Sequence, residues 1–143
     1  MASLNTYLTF NGNCEEAFDF YKSVFGGEYP HVGRFKEMPP DPRFKLSEGD
    51  MEKIMHISLP IGKNSILMGS DTAAEWSSSF RVGNNFSISI TTESKDEADR
   101  LFQELSINGK VTMPMNQTFW GSYFGILSDQ FEINWMISFV KEA

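Results

Sequence analysis

The sequence predicts an α+β fold of two tandem βαβββ modules within one domain, residues 1–143. Three observations carry this. The chain has 143 residues, 41% hydrophobic and 14% aromatic, enough for one ordinary core, whereas two independent domains would be undersized. An order of strand, helix cap, apolar stripe and glycine stop occurs twice. Each occurrence is followed by three more extended segments. Module one spans about residues 4–70, a connector 71–83, and module two about 84–141.

The first element is the alternating strand Tyr7-Leu8-Thr9-Phe10, with Leu8 and Phe10 on one face. Asn13 followed by Glu16 has the spacing of a capping box, so a helix begins there. Cys14, Ala17, Phe18, Tyr21, Val24 and Phe25 form its apolar stripe, and Gly26-Gly27 supplies a left-handed stop. Extended segments follow at Glu28 to Phe35, Ile54 to Leu59 and Ser65 to Gly69, the last two joined by a Pro-Ile-Gly-Lys-Asn turn. The proline- and charge-rich stretch from Glu37 to Met51 reads as an exposed loop, either a lid or a surface insertion without a role.

The second module repeats the order. Phe86 to Ile90 alternates, Ser94 and Glu97 make a second capping box, Ala98, Leu101, Phe102 and Leu105 form a stripe, and Asn108-Gly109 stops it. Leu8 and Phe10 correspond to Ile88 and Ile90 (88 − 8 = 80), and Ala17 to Ala98 (98 − 17 = 81), which points to a duplicated unit. Three extended segments close the chain, at Lys110 to Met115, Ser122 to Leu127 and Asn134 to Val140.

Composition limits function. The net charge of −7 arises from 12 basic and 19 acidic residues without a Lys/Arg cluster, which argues against nucleic acid or an anionic membrane as partner. A single cysteine, Cys14, permits neither an internal disulfide nor a thiolate metal cage, in keeping with a reducing cytoplasm. No basic leader and no run of eighteen apolar residues stands in the sequence, so secretion and membrane spanning are not expected. There is no P-loop, no strand running into GxGxxG and no GxSxG elbow.

The strand and helix YLTFNGN…EEAFDFYKSVFGG, the hairpin around KIMHISLPIG and ILMGSD, and the closing VTMPMNQTFWGSYFGILSDQFEINWMI resemble the PhnB-like branch of the vicinal oxygen chelate superfamily, which includes glyoxalase I, bleomycin- and fosfomycin-resistance proteins and extradiol dioxygenases. The resemblance covers Asn5 to about Phe139. It implies curved mixed sheets around a concave cavity, helices on the outer face, and a homodimer. It leaves the activity open, because the superfamily shares architecture across different chemistries. Some relatives carry a ubiquinone methyltransferase label, which the single-glycine turn Asn11-Gly12-Asn13 does not support.

Metal-using members of that superfamily take ligands from the first, fourth, fifth and eighth strands. The resemblance carries those places onto Asn5, Leu67 or Met68, Asn85 and Met136. Carboxamides and thioethers are poor donors for divalent first-row ions, so no metal and no cofactor is expected there. Strand alternation puts Asn5, Tyr7, Thr9, His56, Ser58, Asn85, Ser87, Ser89 and Met136 on the cavity side. His56 is either a hydrogen-bonded histidine at a sheet edge or dimer seam, or a group for ligand contact and proton transfer. His31, beside the Pro30 turn, reads as a surface residue. Trp120 and Tyr123, in TFWGSYFG, build either an aromatic wall for a planar ligand or the rim of the core. Asp129 needs only turn formation to explain it.

The leading expectation is a metal-independent protein that binds an unknown small molecule in the cavity. One alternative is a metal-dependent lyase or dioxygenase-like enzyme using His56 with further donors. The other is a dimeric interaction module without ligand.

Overall fold

The computed structural model describes residues 1–43 and 45–141. The chain divides into two compact units, the first ending at Arg81 and the second starting at Val82. In the first unit the elements run β1 (Thr6–Phe10), α1 (Cys14–Phe25), β2 (His31–Arg34), β3 (Ile54–Ile61) and β4 (Ser65–Asp71). In the second they run β5 (Ile88–Thr91), α2 (Lys95–Leu105), β6 (Lys110–Gln117), β7 (Ser122–Ser128) and β8 (Asn134–Val140). Each unit is a four-stranded mixed sheet, in order β1-β4-β3-β2 and β5-β8-β7-β6, with its outer pair β1·β4 or β5·β8 parallel. The twofold βαβββ order read from the repeat is thus the order of the fold.

In the first unit α1 covers one face of the sheet. Leu8, Phe10, Ile57, Leu59 and Leu67 point to it and are nearly inaccessible, as are Cys14, Ala17, Phe18, Tyr21 and Val24 from the helix. Burial raises the Cys14 thiol above its ordinary range, with Asp71 and Glu15 adding to the effect, so it stays protonated. Phe18 lies directly over β4, where a Cβ added to Gly69 would stand 2.6 Å from its ring; glycine is required for that approach. In the second unit Leu127, Trp135 and Ile137 face α2 with Leu101 and Leu105. There the helix aromatic is Phe102, and the glycine that admits it is Gly125, on β7.

The two helix starts are built differently. At α2 half of the expected box forms: Ser94 Oγ accepts from Glu97 N at 3.0 Å, while Glu97 Oε1 accepts from Glu93 N, one residue before the cap, at 3.0 Å. At α1 the side chain of Asn13 makes no cap, contrary to the sequence reading. Asp71, at the end of β4, takes over that role. Its Oδ1 accepts from Gly12 N and Cys14 N at 2.9 Å each, and its Oδ2 from Ile54 N at 2.9 Å. A carboxylate from a distant strand displaces a local carboxamide because a charged acceptor serving three backbone donors is worth more than one neutral cap.

Other expectations need correction. The β2–β3 ladder slips between Gly33 and Arg34, which strict alternation along the strand does not anticipate, and Ile54 joins Ile57 and Leu59 in the core. β5 starts only at Ile88, leaving Phe86 59% exposed outside the strand. The exposed loop expected from Glu37 to Met51 is anchored at its end. There Asp50 is buried and accepts from Ser47 N, Ala74 N and Lys53 Nζ.

Candidate functional site

Alternation leaves a second face on each sheet, turned away from the helix. In the first unit the register aligns Tyr7, Met68, Ser58 and His31 in a single cross-strand row: Tyr7 opposite Met68, Met68 opposite Ser58, Ser58 opposite His31. The choice between Leu67 and Met68 is thereby settled, since Leu67 is buried towards α1. The adjoining row holds Thr9 opposite Ser70, and Gly33 opposite His56.

Side chains from these rows meet. Tyr7 Oη and His56 Nδ1 lie 3.4 Å apart at hydrogen-bond distance, with ring centres 5.8 Å apart. His31 stands on the other side of His56, ring centres 5.3 Å apart and planes tilted by 38°. The Nε2 edge of His31 lies against Gly33, 3.4 Å from where a Cβ would be. Both histidines of the chain therefore share one polar patch with Tyr7 and Ser58. His31 is a surface residue, as expected, but its place beside His56 is not visible in the sequence, because the long β2–β3 connection hides the pairing of those strands. The spacing of His31 and Gly33 at alternate positions was the available signal.

In the second unit Ser89 stands opposite Met136, and Met136 opposite Ile126, on the face away from α2. Thr91, Ser138 and Phe124 form the neighbouring row. Trp120 is 62% exposed in the β6–β7 turn, its ring 6.4 Å from that of Phe124 and 4.9 Å from that of Phe119. Gly121 carries the turn at φ +90°.

Other expected lining residues lie elsewhere. Asn5, Asn85 and Ser87 are exposed and precede their strands. Tyr123 belongs to the helix-covered face with Gly125 and Leu127, where its hydroxyl donates to Asp99 Oδ1 at 2.5 Å and Lys95 Nζ sits 4.7 Å from its ring centre. That hydrogen bond, with burial next, raises the phenol above its usual range and holds it protonated. Asp129 is a turn residue, as read: Oδ1 accepts from Phe131 N and Ile133 N, and Oδ2 from Trp135 Nε1.

The superfamily's metal does not fit this chain at the strand positions where relatives hold it. Asn5, Met68, Asn85 and Met136 offer two carboxamides and two thioethers, and a first-row divalent ion needs imidazole, carboxylate or thiolate to offset its lost water shell. Among the described residues no three His, Cys, Asp or Glu side chains gather into a cluster. No helix there is long and apolar enough to cross a membrane.

Comparison with known proteins agrees with this architecture. The family model for the Glyoxalase/Bleomycin resistance protein/Dioxygenase superfamily matches residues 3–137. Protein YjdN of Escherichia coli K12 is 31% identical over 150 residues, covering 97% of this chain and 96% of its own. The crystal structure of protein PA1353 from Pseudomonas aeruginosa superposes with a TM-score of 0.80 at 34% identity, covering 99% of this chain and all of the other. A PhnB protein from Bacillus cereus, described as a candidate 3-demethylubiquinone-9 3-methyltransferase, gives 0.70 at 25% identity over 97% of this chain and all of its own. On the match over residues 3–137 and the 31% identity across nearly both chains, this protein belongs to the glyoxalase/bleomycin resistance/dioxygenase superfamily.

Proposed function

We propose that this chain binds a small molecule on the helix-free face of its first sheet, as a homodimer, and that recognition there needs no metal at the four strand positions used by metal-dependent relatives. The observation that carries the reading is the Tyr7–His56 hydrogen bond beside Ser58. It supplies two hydroxyls and an imidazole at fixed spacing on a rigid sheet, among small neighbours such as Thr9 and Ser70. A few fixed polar groups on a firm support are what orient a small ligand.

Methyl transfer from a nucleoside cofactor gains no support. The backbone donors at the start of α1, which would cradle an anionic group, are already taken by Asp71.

The test is thermal shift followed by calorimetric titration against small aromatic and polar metabolites in EDTA, with a parallel series in chelator-free buffer. The expected outcome is saturable binding that weakens about tenfold in Tyr7→Phe and in His56→Ala, the loss of one hydrogen bond each. Tyr123→Phe, on the opposite face of the other unit's sheet, leaves it unchanged. A response abolished by EDTA would replace this reading with the metal-dependent enzyme, and silence across the panel would favour an interaction module.

A further inference from the structure

The proximity of His31 and His56 has no role in the binding reading above, which uses only His56. Two imidazoles bound to one tetrahedral ion at metal–nitrogen distances of about 2.0–2.1 Å hold their ring centres about 5 Å apart. Here the centres are 5.3 Å apart. Neither ring is shut away from solvent, since His31 is exposed and His56 half-buried.

We propose that His31 and His56 form a two-imidazole site for a late first-row divalent cation, such as Zn²⁺, Ni²⁺ or Cu²⁺, on the helix-free face of the first sheet. Three features support it. The two strands hold the histidines on a rigid ladder, Gly33 opposite His56 and His31 opposite Ser58. The Nε2 edge of His31 lies against Gly33, the residue paired with His56 across the ladder. Tyr7 Oη sits at His56 Nδ1, so that an Nδ1–H donated to Tyr7 leaves the Nε2 lone pair for the ion, the outer partnership usual for ligating histidine. Imidazole donors suit this group of ions and not Mg²⁺ or Ca²⁺. With two protein donors the remaining coordination positions fall to water or a ligand, as in an open site. The site lies on β2 and β3, not on the first, fourth, fifth and eighth strands from which metal-dependent relatives take their ligands.

The chain contains only these two histidines, so untagged, chelator-stripped protein carries no competing imidazole. Calorimetric titration with ZnCl₂, NiCl₂, CuCl₂ and MnCl₂ is expected to give one equivalent bound, weakest for Mn²⁺ and tightest for Cu²⁺. His31→Gln and His56→Gln should each weaken binding at least about tenfold, and Tyr7→Phe by about tenfold through its hold on His56. One equivalent of Ni²⁺ should broaden the ring signals of both histidines in a labelled sample. If only one ring responds, or if the double glutamine variant binds as tightly as the unchanged chain, the shared site is overturned. Metal binding is measured here without any metabolite, and metabolite binding above in EDTA, so failure of either leaves the other standing.

Discussion

Two aspartates show how single residues hold this protein. Asp71 and Asp129 are 5% and 3% exposed, and each carboxylate gathers several donors, Asp71 from separate stretches of chain and Asp129 from its own turn and the start of β8. Asp71 ties the start of α1 and the start of β3 to the end of β4. Asp129 closes the turn before β8 and accepts from the Trp135 indole. Asp71→Ala strands three backbone donors at about 1–3 kcal/mol each, partly relieved by water, so a loss of about 3–5 kcal/mol is expected in urea unfolding. A loss below about 1 kcal/mol would mean that Asp71 is not the cap. Asp129 was legible because Asp in a Ser-Asp-Gln turn bonds its own backbone nearby. Asp71 was not, since its partners are 57 and 59 positions away.

At the scale of elements, the segment between β2 and β3 is fastened through Asp50. Its carboxyl is lowered to about 2, first by the Lys53 ammonium and then by hydrogen bonds from Ser47 and Ala74. The ordinary value is 3.8. A carboxyl with a depressed folded pKa stabilises the fold above its unfolded pKa and loses that contribution as pH falls through the folded one. Unfolding free energy should therefore decline by about 2 kcal/mol between pH 4 and 2 on this account, and Asp50→Asn should remove that part of the decline. An identical acid profile in the variant would show that other carboxyls cause it. The sequence marked this segment as proline-rich and charged, yet what fastens it comes from Lys53 and Ala74, outside the segment.

For the whole molecule, duplication describes the order of elements better than their packing. In one unit the helix aromatic is Phe18 over β4, and in the other Phe102 over β7, each matched by its own glycine. A close-packed core tolerates such a shift only when ring and glycine move together. The homodimer proposed above predicts a light-scattering mass of twice the 16.3 kDa chain. A mass of one chain at micromolar concentration would remove it.

Sequence by itself determined the element order, the buried stripes and the family, because strand and helix periodicities are local and each apolar residue needs only its own element to choose a face. Tertiary structure decided strand register, and with it the pairings at the candidate site. Register brought His31 to His56, chose Met68 over Leu67 and placed Tyr123 behind the sheet. Those outcomes follow from where a ladder slips by one residue and which distant carboxylate reaches a helix end, and neither is encoded within the reach of a single element.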